Sequence, residues 1–123
     1  MNRNKHLLLW SSLGTLALLV AAAVEENLLR DWRIIQRTAR AESGPLDVHL
    51  RQIVVPALKT TDRCVACHVG MAPGEQGVTG VHAVSAHKPV VHEPADYGCT
   101  VCHAGQGLAT ELADAHGDVP FWP

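Results

Sequence analysis

The sequence predicts a mainly α-helical protein, in which one transmembrane helix continues into a stalk helix and then into a small domain of short helices and irregular loops. Three observations lead to this prediction. An uncharged apolar run covers residues 7–24, and a helical pattern of apolar residues follows it to about residue 41. The remaining residues are rich in Gly, Pro and His and show little periodicity, which is typical of loops.

The apolar run, Leu7–Val24, has 18 residues, a length that just spans the hydrocarbon core of a bilayer. Two basic residues precede it, so the positive-inside rule places residues 1–6 in the cytoplasm as a short tip and the rest of the chain outside. We therefore expect a single-pass anchor in the cytoplasmic (inner) membrane with the main domain on the periplasmic side. A cleaved signal peptide is the alternative, because three alanines near its end resemble a cleavage site.

Residues 25–45 are predicted to form the stalk helix outside the membrane. Apolar residues recur three or four positions apart along it, at Leu28, Trp32, Ile35 and Ala39. We expect a partner helix or subunit, rather than the chain's own small domain, to cover this stripe. Gly44 and Pro45 predict the end of the helix. Residues 46–63 are interpreted as a connector in which the pattern does not distinguish strand from helix.

Two copies of the pattern C-x-x-C-H follow the connector. They consist of Cys64, Cys67 and His68, and of Cys99, Cys102 and His103. This spacing is typical of covalent haem attachment, because two thiols on one helical turn reach the two vinyl groups of the porphyrin and the next imidazole binds the iron. We therefore expect residues 64–123 to form a dihaem domain with two covalently bound haem c groups. Haem would also fill a core that has few aromatic residues, with one Phe, one Tyr and three Trp in the whole chain.

Two other uses of the four cysteines are less favoured. A four-cysteine zinc site would have suitable pair spacing, but it would leave both following histidines without a role. Two structural disulfides are possible outside the cytoplasm, yet C-x-x-C pairs there are usually redox active, and no thioredoxin-like pattern surrounds these.

The second axial ligand of each iron is expected to be histidine. Met71 lies three residues past the proximal His68 and so emerges on the same face of the first haem, although it could reach the second. Two bis-histidine haems, with correspondingly low potentials, are therefore predicted. We expect His116 to serve the second haem, because it follows the second motif by 13 residues, although neighbouring haems can also exchange ligands.

For the first haem we expect His87 or His92, which lie in the segment between the two motifs. His82 lies in the same segment and is a weaker candidate. His49 is expected at the surface, and His6 is excluded because it precedes the membrane helix.

The formal net charge of −2, without a basic block, argues against a nucleic-acid partner.

The segments Arg51–Met71 and His92–Gly117, with YGCTVCHAGQG and DAHG in the second, resemble a family of membrane-tethered dihaem and multihaem c-type cytochromes. Members of that family accompany cytochrome b and Rieske-type or related quinol-oxidising complexes in bacteria. On this resemblance His87, His92 and His116 match positions that are histidine in the family.

The resemblance implies an electron-relay subunit of a respiratory or photosynthetic complex, with no catalytic site of its own. Its implied partners are the lipid bilayer and other membrane and cytochrome subunits. One alternative is a membrane-anchored quinol dehydrogenase resembling the multihaem cytochromes of periplasmic nitrate and nitrite reduction, but those carry four or more haems. Another is a haem sensor with an open iron, which the number of available histidines disfavours.

Overall fold

The computed structural model of the chain describes residues 2–75 and 90–117. The fold is mainly helical. The chain divides into two compact units, residues 1–30 and residues 31–123. The second unit contains the predicted stalk from residue 31 onward, the connector and both C-x-x-C-H motifs, so these segments fold together.

The first unit is a single apolar helix. Helix α1 covers Asn2–Val24, and a π-helical turn over Glu25–Leu29 extends it. With 28 residues, the helix Asn2–Leu29 is long and apolar enough to cross a membrane, as the apolar run predicted. The hydroxyls of Ser11 and Thr15 donate hydrogen bonds of 2.9 Å to backbone carbonyls of the preceding turn, so neither polar group needs water.

The predicted continuation of this helix into the stalk is wrong at Arg30. That residue leaves the helical conformation, with φ −59° and ψ 137°, and a separate helix α2 covers Asp31–Ser43. Asp31 begins α2 with a negative charge, which the dipole of the new helix favours. A one-residue interruption leaves apolar spacing almost unchanged, so the sequence pattern did not reveal it. The end of α2 is as predicted, because Gly44 adopts φ +94° and donates to the carbonyl of Arg40.

The chain itself covers two of the four residues of the apolar stripe that a partner was expected to cover. Trp32 and Ala39 are buried within the chain itself, whereas Leu28 remains 46% exposed. Gln36 lies between the two buried residues on the same face and is fully buried. The domain covers this face because it offers polar backbone groups to Gln36 as well as apolar surface, and counting apolar residues alone missed that contribution.

Most of the region interpreted as a connector is a β-hairpin. Strand β1 (Ile53–Val55) pairs antiparallel with β2 (Thr60–Asp62), so that Ile53 lies opposite Asp62, and a 3₁₀ turn at Pro56–Leu58 joins the strands. Alternate side chains of β1 point inward, as expected for a half-buried strand. Ile53 and Val55 form a small core with Val65, against which Met71, Ala72 and Cys99 pack.

Three one-turn helices complete the described part of the second unit. They are α3 (Cys64–Cys67), α4 (Pro94–Tyr97) and α5 (Leu112–Ala115). Loops join them, in agreement with the prediction of short helices and irregular segments. The first motif lies on α3, the second follows α4, and α5 carries His116 at its end.

Candidate cofactor-binding site

Both C-x-x-C-H motifs adopt the same local turn. The backbone N–H of His68 donates to the carbonyl of Cys64 at 2.8 Å, and that of His103 donates to the carbonyl of Cys99 at 2.9 Å. Each bond closes one helical turn, which is the arrangement that brings residues four positions apart to the same side of the backbone. The first thiol and the imidazole of each motif therefore share one side.

The two motifs lie next to each other although 35 positions separate Cys64 from Cys99 in the sequence. The thiols of Cys64 and Cys99 lie close enough to shift each other's pKa, which is lowered at Cys64 and raised at Cys99. Asp62 adds a second connection, because its fully buried carboxylate accepts hydrogen bonds from the N–H of Cys99 at 2.6 Å and from the N–H and hydroxyl of Thr100 at 3.1 and 2.8 Å. The residue two positions before the first motif therefore holds the beginning of the second.

Two glycines make room for the Asp62 carboxylate. A Cβ atom at Gly98 would overlap one carboxylate oxygen, and a Cβ at Gly107 would overlap the other. Gly98 also has φ +77°, a conformation that side chains other than glycine rarely adopt. Gly107 in turn accepts a 2.7 Å hydrogen bond from the N–H of Arg63 through its carbonyl. Close backbone approach around Asp62 thus joins the hairpin to the second motif.

A cavity of about 780 Å³ opens between the two motifs. This volume falls within the range of roughly 300–1,000 Å³ that is usual for cofactor and ligand sites. Its wall includes all four cysteines and four histidines: Cys64, Cys67, Cys99, Cys102, His68, His92, His103 and His116. Met71 also lines it, together with apolar side chains such as Ile53 and Val65.

The structure thus brings together every predicted site residue that it describes. His87 was also predicted as a ligand, and it lies outside the described residues, as does the weaker candidate His82. His49 stands apart from the cavity wall, with an exposed side chain and its Nδ1 atom 3.2 Å from the carboxylate of Asp47. That position agrees with the expectation of a surface histidine.

Two ring contacts on the cavity wall involve histidines. The ring centroids of His68 and His116 are 6.3 Å apart, with an angle of 64° between the ring planes. His116 Nδ1 lies 2.8 Å from the carbonyl oxygen of Leu112. His92 contacts Tyr97, with ring centroids 4.7 Å apart. The sequence paired His116 with the second motif, whereas the folded chain brings it to the first.

The thiols of the first motif differ in acidity. The hydrogen bond from Cys99 stabilises the thiolate of Cys64 and lowers its pKa to about 7, although burial acts in the opposite direction. Burial raises the pKa of Cys67 to about 11, and the charge of Asp31 raises it further. The shared hydrogen bond, followed by burial, raises the pKa of Cys99. Because the thiolate is the reactive form, Cys64 is more nucleophilic than Cys67 near neutral pH.

The imidazole of His68 is held in its neutral form. Partial burial lowers the pKa of this histidine, and the neighbouring His116 and His103 lower it further. A neutral imidazole retains a lone pair and can therefore bind a metal.

Three residues that support the site were missed by the sequence analysis. Gln36 Nε2 donates to the carbonyls of Ala66 and His49, at 2.8 and 3.0 Å, so α2 is bonded directly to the first motif. Asp31 accepts a 2.7 Å hydrogen bond from the N–H of Leu112 and thereby holds the beginning of α5. Asp62 is the third. A lone Gln or Asp carries no motif, and only the position of Asp62, two residues before Cys64, could have drawn attention to it.

Within residues 2–75 and 90–117, no three His, Cys, Asp or Glu side chains converge on a site for a bare metal ion. All four cysteines are free thiols. No protein-family model, curated protein or solved structure matches the chain.

Proposed function

We propose that this protein is a dihaem c-type cytochrome that relays electrons at the periplasmic face of the cytoplasmic membrane. The observation that carries the proposal is that one cavity is lined by both C-x-x-C-H motifs, although they are far apart in the sequence. Unrelated cysteine pairs in a small exported domain would have no reason to face a common space with their following histidines. The motif resemblance noted above supports the same assignment.

The residues around the cavity suit haem c. Each motif forms a single turn with its first thiol and its imidazole on one side, as attachment through the vinyl groups and ligation of the iron both require. Apolar side chains such as Val65 and Met71 provide surface for a porphyrin face. The first haem would be attached through Cys64 and Cys67, with His68 as its proximal ligand. The second would be attached through Cys99 and Cys102, with His103 as its proximal ligand.

Haem bound at these positions would supply one-electron oxidation and reduction. The chain's own contribution is to keep the two sites adjacent, through the carboxylate of Asp62, which accepts from the N–H groups of Cys99 and Thr100. Adjacent sites favour exchange of electrons between them. Asp62 also places a buried carboxyl group beside the second motif, where it would stabilise the oxidised form of a bound haem and so lower that haem's reduction potential.

The membrane helix and the resemblance together suggest a subunit of a larger quinol-oxidising complex. The helix Asn2–Leu29 would tether the chain, with the haem domain outside according to the charge distribution. Because Trp32 and Ala39 are covered by the chain's own domain, the stalk offers partners less apolar surface than the sequence suggested. The partners would therefore be other membrane and cytochrome subunits that contact the open side of the cavity or the membrane helix.

The test is expression of the full chain in a bacterium that attaches haem c, followed by haem staining and intact mass measurement. We expect two covalent haems in the wild type and one each in the Cys64→Ala/Cys67→Ala and Cys99→Ala/Cys102→Ala variants. A wild-type chain without covalent haem would refute the proposal. Co-purification from the native membrane with cytochrome subunits would support the relay function, and quinol oxidation by the isolated chain would indicate a quinol dehydrogenase instead.

A further inference from the structure

We propose that His116 is the distal ligand of the haem attached at Cys64 and Cys67, opposite His68. This inference rests on the proposed function and makes it more specific. It reassigns His116 from the second site, where its place in the sequence put it, to the first. The last described helix, which follows the second motif, would then contribute a ligand to the first haem site.

The spacing of the two rings suits a shared metal ion. An imidazole nitrogen binds a metal at about 2.0–2.1 Å, so two imidazoles on opposite sides of one ion have centroids about 6 Å apart once the ring radii are included. His68 and His116 have centroids 6.3 Å apart. The 64° angle between the ring planes is compatible with this arrangement, because each ring can turn about its own bond to the metal.

The hydrogen bond of His116 leaves the correct nitrogen available. A backbone carbonyl can only accept, so the 2.8 Å contact with the oxygen of Leu112 requires a proton on Nδ1. The lone pair is then on Nε2. Metal-bound histidines in proteins usually donate their other ring N–H to a carbonyl or carboxylate in this way, which fixes both the tautomer and the ring orientation.

Contacts from α2 and from the loop after the second motif hold α5 in place. The carboxylate of Asp31 accepts from the N–H of Leu112 at 2.7 Å, and the N–H of Gln106 donates to the carbonyl of Ala115 at 3.0 Å. Gly105 permits this approach, because it has φ +126° and a Cβ there would lie 2.5 Å from the Ala115 oxygen. The position of His116 is therefore built by contacts from both sides of α5.

The remaining candidates are placed differently. His92 lines the same cavity but contacts Tyr97 of α4, the helix that leads into the second motif. His49 is outside the cavity wall. Among the described residues, His116 is therefore the histidine whose ring lies beside His68, whereas His92 contacts the helix that leads into the second motif.

The experiment uses single-haem chains. In the Cys99→Ala/Cys102→Ala background, which keeps the first haem, we compare His116→Ala with the control His49→Ala. We expect His116→Ala to convert the ferric haem from low spin to high spin and to permit carbon monoxide binding in the reduced form. Added imidazole should restore the low-spin spectrum, which a misfolded chain would not show. The control should remain low spin.

The reciprocal background, Cys64→Ala/Cys67→Ala, keeps only the second haem, and there His116→Ala should leave the spin state unchanged. If the single-haem chains do not accumulate, NMR of the dihaem His116→Ala protein identifies the high-spin haem by its contacts to Val65 or to Thr100. Loss of the ligand at the second haem, or an unchanged first haem, would overturn the inference while leaving the dihaem proposal intact. Absence of covalent haem in the wild type would refute the proposed function itself.

Discussion

The carboxylate of Asp62 accepts a 2.6 Å hydrogen bond from the backbone N–H of Cys99, the first residue of the second C-x-x-C-H motif. Asp62 is the last residue of β2 and is fully buried. Hydrogen bonds to an ionised group are stronger than those between neutral groups. A single side chain of the hairpin thus fixes where the second motif begins relative to the first.

Replacing Asp62 by alanine should destabilise the domain and reduce haem attachment at the second motif. The change leaves the partly buried N–H groups of Cys99 and Thr100 without their acceptor, at a cost of at most about 1–3 kcal/mol for each. Asp62→Asn keeps one acceptor oxygen and should have a smaller effect. Thermal unfolding and the mass of the haem-bearing chain are the measurements. Equal behaviour of the alanine variant and the wild type would contradict the role of this carboxylate.

Gly98→Ala should be more destabilising than Gly74→Ala. Both glycines have a positive φ, +77° and +81°, so an added methyl group strains the backbone at each by about 1–3 kcal/mol, and the ψ of −171° at Gly98 lies in a region that is essentially restricted to glycine. Only at Gly98 does the Cβ overlap the Asp62 carboxylate, whereas nothing lies within 4 Å at Gly74. Overpacking should add about 1–3 kcal/mol. Similar melting temperatures for the two variants would show that the space around Asp62 is not tight.

Gln36→Leu should separate α2 from the first motif. Gln36 is fully buried, and its amide bonds the carbonyl of Ala66 and accepts from the guanidinium of Arg51 at 2.7 Å. A leucine would leave these groups unpaired, and we expect a loss of about 3 kcal/mol from unfolding measurements. Gln52→Leu is the matched control, since Gln52 is exposed and the change should stay within about 0.5 kcal/mol. A larger effect at Gln52 than at Gln36 would disprove this role.

Leu16→Arg should weaken membrane insertion. Leu16 lies near the middle of the 28-residue apolar helix, where an arginine costs about 2.5–3.5 kcal/mol. Leu7→Arg is the control, because a long basic side chain near the end of the helix can reach the headgroup region. Alkaline extraction of membranes should release a larger fraction of the Leu16→Arg protein than of the control. Equal release of both variants would argue that the helix does not span the bilayer.

The two C-x-x-C-H turns and the long apolar helix could be predicted because each is a local pattern. The apolar length of residues 7–24 and the spacing of Cys64, Cys67 and His68 need no knowledge of the fold. Segment 46–63 was ambiguous, since a three-residue strand such as Ile53–Val55 is too short to show a period.

The pairing of His116 could not be predicted, because it depends on how the chain returns after the second motif. Distance along the sequence favoured His103 as its neighbour, but the loop through Gly105 and the bond between Asp31 and Leu112 bring α5 to His68. The burial of Gln36 was missed for a similar reason: a polar residue on an apolar face gains its stability from distant backbone groups that the local pattern does not contain.

The bond between Asp31 and Leu112 joins residues 81 positions apart, and that between Asp62 and Cys99 joins residues 37 apart. Closing such loops costs entropy before any contact compensates for it, and the apolar cluster of Ile53, Val55 and Val65 is small. These contacts should therefore form late during folding and depend on each other. Folding of the domain would then be coupled to haem attachment, with the cofactor supplying much of the free energy that keeps the distant segments together.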